Sequence, residues 1–260
     1  MKIGFIGFGN MARAIVQGLI EKGGISPDTI HVCAAHYELC RQNADRLKVH
    51  AYPLAQDVVE HADMIVLAVK PYQVQEVVKP IRERLKKKVV VSIAAGCFFD
   101  DYEKILCENT HHISAIPNTP IAIGQGILIV EGRHSLSDEE YQEFVSIFER
   151  IALIETIDTE HVSIATTIAG CAPAYTAMYL EALGDAGVKH GLKRDQAYAL
   201  AAQMIKGTGA LYIENQVHPG MMKDAVCSPG GTTIKGVASL EKNAFRGIVI
   251  EAIDEVEKKL

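Results

Sequence analysis

"KIGFIGFGNMARA", residues 2–14, carries a short apolar run into two glycines and then into a helix-forming segment. A plain strand–turn–helix needs one glycine at most, so two at this spacing indicate that something comes close to the backbone. Gly7-Phe8-Gly9-Asn10-Met11-Ala12 reads GxGxxA. The first glycine allows the tight turn. The second removes a side chain from the path of a pyrophosphate, and the small Ala12 lets helix and strand pack closely. The helix N-terminus then offers free N–H groups and the positive end of its dipole. Alone the pattern is weak. Here it opens a βαβ arrangement, which makes Ile6, Gly7, Phe8, Gly9, Asn10 and Met11 candidate cofactor residues.

Working outward, residues 1–157 alternate strand and helix patterns. Strands are expected at 29–34, 63–69, 89–94 and 112–116, with short ones at "VHAY", "GILIVE" and "ALIETI". Runs such as "DMIVLAV" are almost wholly apolar, as befits strands with both sheet faces covered. Helices are expected over "YELCRQNADRL", over 71–85 with a break or kink at Pro80, and over 137–150. The last has Ser137 and Glu140 at capping-box spacing. This alternation predicts an α/β fold: an N-terminal Rossmann-type doubly wound parallel sheet. After Asp158 no strand pattern remains. Residues 158–260 read as helices rich in Ala, Gly and Thr, with Pro173 dividing the first stretch in two, hence a second, all-α domain. The boundary falls near 157–159.

The composition narrows the partners. The 260 residues are 48% hydrophobic and 22% charged, with net charge −6. No basic run exceeds "LKKK", so nucleic acid is not an expected partner. No apolar stretch reaches membrane-spanning length, and the chain enters a strand at once, without a signal-sequence pattern. The six cysteines show no CxxC spacing, and the ten histidines show no ligand spacing. We therefore expect reduced thiols, a cytoplasmic setting and no metal.

The end of the second strand bears on the choice of dinucleotide. NAD readers usually carry Asp or Glu there for the ribose diol. This chain has Cys33-Ala34-Ala35-His36 and no acid before Glu38. The absence of a repelling carboxylate favours NADPH and leaves NADH open. Ala35 and His36 are candidate contacts; His36 and Arg41 are either neighbours of a 2′-phosphate or solvated surface residues. Three more loops fall at carboxyl ends of strands: Ala68-Val69-Lys70-Pro71, Ser92 to Gly96 with Ala94 and Ala95, and Ile116 to Pro120. Together they make a crevice floor.

A second unusual stretch is "DAVCSPGGTTI", 224–234, within the helical part. Its bland reading is a helix–helix corner, with Pro229 for the bend and Gly for positive φ. Its sharper reading is an anion site at a helix N-terminus. With "GFIGFGNMA", "AVKP", "SIAAG", "PNTP" and "APAY", in this order and over essentially the whole length, the chain resembles the pyrroline-5-carboxylate reductases. The resemblance implies reduction of the cyclic imine 1-pyrroline-5-carboxylate to L-proline by NADPH or NADH. It implies a pyrophosphate held by Ile6 to Met11, a ribose and nicotinamide lined by Ala68 to Pro71, Ala94 and Ala95, and an adenosine-side contact from Gln56. It further implies that Gly230, Gly231, Thr232 and Thr233 bind the substrate carboxylate, that the Thr233 hydroxyl meets the ring nitrogen as the catalytic group, and that the helical domain forms a homodimer, with larger assemblies open. Three blocks depart from the family pattern, and in the first Ala34-Ala35-His36 follows the second strand where the family often has Ser, Asn or Arg. Ser114 stands where an arginine is usual, and Ala169-Gly170-Cys171-Ala172 stands where Ser-Gly-Ser-Gly is usual. Rival readings are another imine or hydroxyacid reductase on the same plan, and a cofactor-sensing protein without catalysis.

Overall fold

The computed structural model describes residues 1–258. The chain forms two compact units, Met1–Gly170 and the residues from Cys171 onward.

In the first unit the opening segment folds as β1 (Ile3–Ile6) and α1 (Asn10–Glu21). There follow β2 (Ile30–Cys33), α2 (Tyr37–Leu47), β3 (His50–Tyr52), α3 (Ala55–His61) and β4 (Met64–Leu67). Then come α4 (Val74–Val78), α5 (Arg82–Leu85), β5 (Val89–Ser92), α6 (Phe99–Ile105) and β6 (His112–Pro117). The unit closes with β7 (Gly126–Glu131), α7 (Asp138–Phe148), β8 (Ala152–Ile157) and α8 (Val162–Thr166). The eight strands form one sheet in the order β3-β2-β1-β4-β5-β6-β7-β8. The strands from β1 to β6 are parallel and follow the order of a dinucleotide-binding sheet.

Residues of one strand alternate between two cores. Ile3, Phe5, Met64 and Val66 face α1 and α7 with Ile15, Leu19, Phe144 and Phe148. Ile65 and Leu67 face the other side with Val58, Val78, Ile81 and Tyr102. Both faces are covered, which is why these strands lack a polar alternation. The Ser137 cap forms as expected: Glu140 N–H donates to Ser137 Oγ at 3.3 Å, and Ser137 N–H donates to Glu140 Oε2 at 2.8 Å.

Two features differ from expectation. β7 runs antiparallel to β6, while β8 is parallel to β7. The link from β6 to β7 is only a tight turn around Thr119–Ile123, too short for the crossover a parallel neighbour needs. The break expected at Pro80 within 71–85 is seen: Pro80, without an N–H donor, separates α4 from α5. By contrast, Pro173 does not lie within a broken helix. A π-helical turn, Thr167–Cys171, follows α8, and Pro173 then occupies the first turn of the next helix, where its missing N–H is harmless. The last strand ends at Ile157, but Val162 and Ala169 pack back on Ile129 of β7, so the first compact unit runs on to Gly170.

The second unit comprises α9 (Ala172–Lys189), α10 (Arg194–Asn215), α11 (Pro219–Ala225), α12 (Thr232–Lys242) and α13 (Phe245–Glu257). α9 and α10 approach very closely. A Cβ on Gly184 would stand 2.2 Å from the Tyr198 ring, so only glycine fits there. Among the described residues the unit's buried apolar side chains are Ala197 and Ala201, while Met178, Leu200, Leu211, Ile213, Ile248 and Ile250 are exposed.

Candidate active site

The glycine turn after β1 is fixed by its neighbours. Gly7 has φ of 96°, and a Cβ there would lie 2.4 Å from the Ala68 carbonyl oxygen. Both backbone freedom and close strand contact demand glycine. Gly9 differs: a Cβ there meets no protein atom within 4 Å. It caps α1 in an extended conformation with no side-chain cap, and the first turn of α1 holds no acid. The N–H groups and positive end of α1 are thus left for an anion.

This turn opens on a cavity of about 980 Å³ built from the first unit. Ile6, Gly7, Phe8, Gly9, Asn10 and Met11 line its floor. Ala35 and His36 line the end beyond β2, and Ala68, Val69, Lys70 and Pro71 the middle. Ala94 and Ala95 close the far side together with Pro117 and Thr119. All the cofactor residues expected from sequence therefore meet on one cavity except Gln56. That side chain is half-buried in the first turn of α3, and the wall there is made instead by Pro53, Leu54 and Ala55, which lead into the helix. Leu39 and Leu54, each 57% exposed, flank this end. Sequence reasoning missed both leucines. Their only signal is an apolar residue just after a strand end, which surface leucines elsewhere share.

No acid lines the end beyond β2. His36 caps α2 and is exposed, while Arg41 pairs with Glu38 at 3.7 Å outside the lining. Burial pushes the Cys33 thiol up to about 12, with Cys40 adding to it, and burial pushes Cys40 up to about 11. Both are neutral thiols near pH 7, so this part of the wall carries no negative charge. Lys70 is exposed, and its backbone N–H donates to Gln73 Oε1 at 3.2 Å. Asn118, in the "PNTP" block, is buried and structural: its Nδ2 donates to Ala169 O at 2.9 Å, and its Oδ1 accepts from Ile127 N–H at 2.8 Å.

In the second unit, Ser228-Pro229-Gly230-Gly231 forms a hydrogen-bonded turn. Gly231 N–H donates to Ser228 O at 3.0 Å, with Gly230 at φ of 70°. Gly231 caps α12 without a side-chain hydrogen bond, and its first turn holds no acid. Thr232 and Thr233 are exposed in that first turn.

Comparison with known proteins agrees with both halves. Residues 2–96 match the family model described as NADP oxidoreductase, coenzyme F420-dependent. Residues 159–260 match the model for pyrroline-5-carboxylate reductase dimerisation. The chain is 41% identical to the pyrroline-5-carboxylate reductase of Treponema pallidum, over 97% of each chain. The chain belongs to the pyrroline-5-carboxylate reductase family. The Escherichia coli reductase is 39% identical over 99% of this chain and 96% of its own. Among solved structures, the Plasmodium falciparum pyrroline carboxylate reductase with NADP bound has a TM-score of 0.88 and 30% identity, covering 100% of this chain and 96% of its own. Like other pyrroline-5-carboxylate reductases, the chain joins a Rossmann-like NADP-binding domain to a helical dimerisation domain. Among the described residues no helix is long and apolar enough to cross a membrane.

Proposed function

We propose that this chain reduces 1-pyrroline-5-carboxylate to L-proline with NADPH, NADH serving as an alternative, in the last step of proline biosynthesis. The observation that carries the reading is the cradle at Gly9: an uncapped helix N-terminus beside an opening that a side chain would fill, on a cavity of about 980 Å³ that runs from Ala35 past the glycine turn to Ala95. Such a cradle suits a pyrophosphate.

The nicotinamide, when bound, supplies the hydride. Everything else falls to the chain. Residues Ile6 to Met11 hold the pyrophosphate, and the wall from Ala68 to Pro71 with Ala94 and Ala95 orients the nicotinamide end. Lys70 we assign to ribose or solvent rather than to the chemistry. The turn Gly230-Gly231-Thr232-Thr233 receives the substrate carboxylate on backbone N–H groups. The Thr233 hydroxyl orients the imine nitrogen and helps settle a proton on it. A protonated imine carbon is the better hydride acceptor, and a pyrroline nitrogen is itself basic enough to take part of that proton. Positioning therefore supplies most of the rate.

We place the dividing line of function near residues 157–158, with 1–157 for the dinucleotide and 158–260 for substrate and dimerisation. The exposed apolar side chains of the helical unit suit a homodimer of this chain, with larger assemblies allowed. Its six free cysteines suit the reducing cytoplasm. The test is NADPH oxidation with 1-pyrroline-5-carboxylate as the sole acceptor, run in parallel with NADH. Proline formation supports the reading, and its absence with a folded protein that binds NADPH rejects it. Light scattering of the active sample should give at least twice the chain mass.

A further inference from the structure

Under the loop that closes the far side of the cavity lies a row of buried polar side chains. Ser92, Ser114 and Glu131 are 2%, 3% and 1% exposed. They sit on three neighbouring strands: Ser92 pairs with Ser114, and the register of Ala115 with Val130 brings Glu131 next in line. Each reaches the backbone of the segment 94–99. Ala94 N–H donates to Ser92 Oγ at 3.2 Å, Ser114 Oγ donates to Cys97 O at 3.2 Å, and Phe99 N–H donates to Glu131 Oε2 at 2.8 Å. The other carboxylate oxygen of Glu131 accepts from Thr159 Oγ1 at 2.7 Å. From outside, Arg133 holds the same turn. Its guanidinium lies 4.8 Å from the Phe99 ring centroid and forks onto Asp100 with two bonds of 2.8 Å.

A buried carboxylate is tolerated only where donors meet it, and a charge-assisted bond to a backbone N–H is stronger than the neutral hydroxyl bonds beside it. Two carboxylates accept from this segment, Asp101 Oδ2 from Phe98 N–H at 3.2 Å and Glu131 Oε2 from Phe99 N–H at 2.8 Å; Glu131 makes the shorter bond and is the buried one, so it is the firmer tie on the loop that carries Ala94 and Ala95. It does not line the cavity and cannot touch the reacting atoms. We propose that Glu131 is a positioning residue for the cofactor: through Phe99 N–H and Thr159 it fixes the 94–99 segment against which the nicotinamide end of NADPH rests. This rests on reading the cavity as the dinucleotide site.

The test uses the full-length protein and three variants: Glu131→Gln, Glu131→Asp and Glu131→Ala. NADPH affinity is measured by fluorescence titration, KM is measured for NADPH and imine separately, and circular dichroism monitors folding. Glutamine can accept from Phe99 N–H and donate to Thr159 Oγ1 but lacks the charge, so it should lie between wild type and the aspartate variant, about threefold weaker than wild type. Aspartate is one methylene too short, and alanine has no acceptor. Both should weaken NADPH binding and raise its KM about tenfold, with the imine KM little changed. A purely structural role would lower the melting temperature without this split. Wild-type NADPH affinity in the folded aspartate variant, or a glutamine variant as impaired as the aspartate one, overturns the proposal; if alanine does not fold, the aspartate–glutamine ordering decides. A wild-type protein that binds no NADPH overturns the cavity reading and this inference with it.

Discussion

The chain contains two glycine-capped helix N-termini built alike and set in unlike surroundings. α1 is capped by Gly9 and α12 by Gly231, both extended, both without a side-chain cap, and neither with an acid in its first turn. Each follows a glycine at positive φ, Gly7 or Gly230. Local chemistry makes both anion receivers. Their settings differ. The α1 turn is pressed against Ala68 at the head of a sheet with two covered faces, and it opens into a formed cavity. A Cβ at Gly231 in the α12 turn would stand 2.4 Å from Oγ of its own Ser228, and Thr232 and Thr233 are exposed. Every buried polar or charged residue among the described ones lies in the first unit. A single chain can therefore build a dinucleotide cradle by itself, because the sheet supplies the rigid walls. The helical unit leaves apolar side chains such as Leu200, Ile213, Ile248 and Ile250 in the open, in keeping with its match to a dimerisation domain.

The largest expected effect attacks the first of these N-termini. Gly9→Val places two methyl groups where the phosphates approach. No protein atom lies within 4 Å of a Cβ there, so the fold should survive. A branched residue at an N-cap costs about 1 kcal/mol of helix stability. NADPH affinity should fall by about a hundredfold or more, since the phosphates lose the N–H groups of α1. Fluorescence titration measures it; unchanged affinity with native circular dichroism would mean that Gly9 serves only the turn.

The second N-terminus should respond differently, in turnover rather than binding. Thr233→Ala removes a hydroxyl and a methyl group but keeps the backbone N–H. Carboxylate binding should largely persist while kcat falls by about a hundredfold, near the lower end for a positioned proton-transfer group, because the imine is itself basic. Thr233→Ser should retain most activity. Steady-state kinetics on both variants decides, and wild-type kcat in the alanine variant would reduce Thr233 to a helix residue without a catalytic part.

The same contrast explains what could be seen in advance. The glycine turn, α2, α7 with its Ser137–Glu140 cap, and α10 were legible because each is encoded by residues adjacent in the chain. α6 and α11, seven residues each, are too short to show a periodic face, and neither was read from the sequence. The reversal at β7 depends on the length of a link rather than on the strand's own pattern, and "GILIVE" reads the same in either direction. The Ala68–Pro71 and Ala94–Ala95 walls were found because Rossmann sites use carboxyl ends of strands. Leu54 supplanted Gln56 because the exact start of α3 decides which residue faces the cavity, and helix starts are the least legible feature of a sequence. Glu131 gave no sign at all: an acid ending a strand is normally a surface residue, and only the fold brings Phe99 and Thr159 to it.

A smaller effect tests the end of the cavity that lacks an acid. Ala35 lines it and is exposed, so Ala35→Asp should be tolerated by the fold. The new carboxylate would repel a 2′-phosphate and suit a ribose diol. We expect kcat/KM for NADPH to fall about tenfold more than that for NADH, in paired assays on one preparation. A greater loss with NADH would show that this end of the cavity does not face the 2′ position.

The smallest effect near neutral pH concerns stability and separates the two units once more. His31 on β2 is buried, touching the rings of His50, Tyr52 and His61, and its Nε2 has no hydrogen-bond partner. Its Nδ1 lies 3.3 Å from the Tyr52 hydroxyl. Burial above all, then His50, His61 and Lys2, lower its pKa from 6.5 to about 4, against a small opposing pull from Asp63. The unfolded chain thus takes up a proton near pH 6.5, which the folded protein refuses until about pH 4. Because the unfolded state binds more protons in that window, stability is present in full above 6.5 and is lost as pH falls toward 4. The loss should be under about 1 kcal/mol between pH 7 and 6, growing to about 2 kcal/mol by pH 5. It should fall on the first unit, since no ionisable side chain is buried among the described residues of the second. Urea unfolding at pH 7, 6 and 5, followed by hydrogen exchange to locate the loosened amides, measures it. His31→Phe, which keeps a ring in the stack and removes the titration, should flatten the dependence. An equally steep loss in that variant would assign the acid sensitivity to other groups, and loosening confined to α9–α13 would overturn the placement.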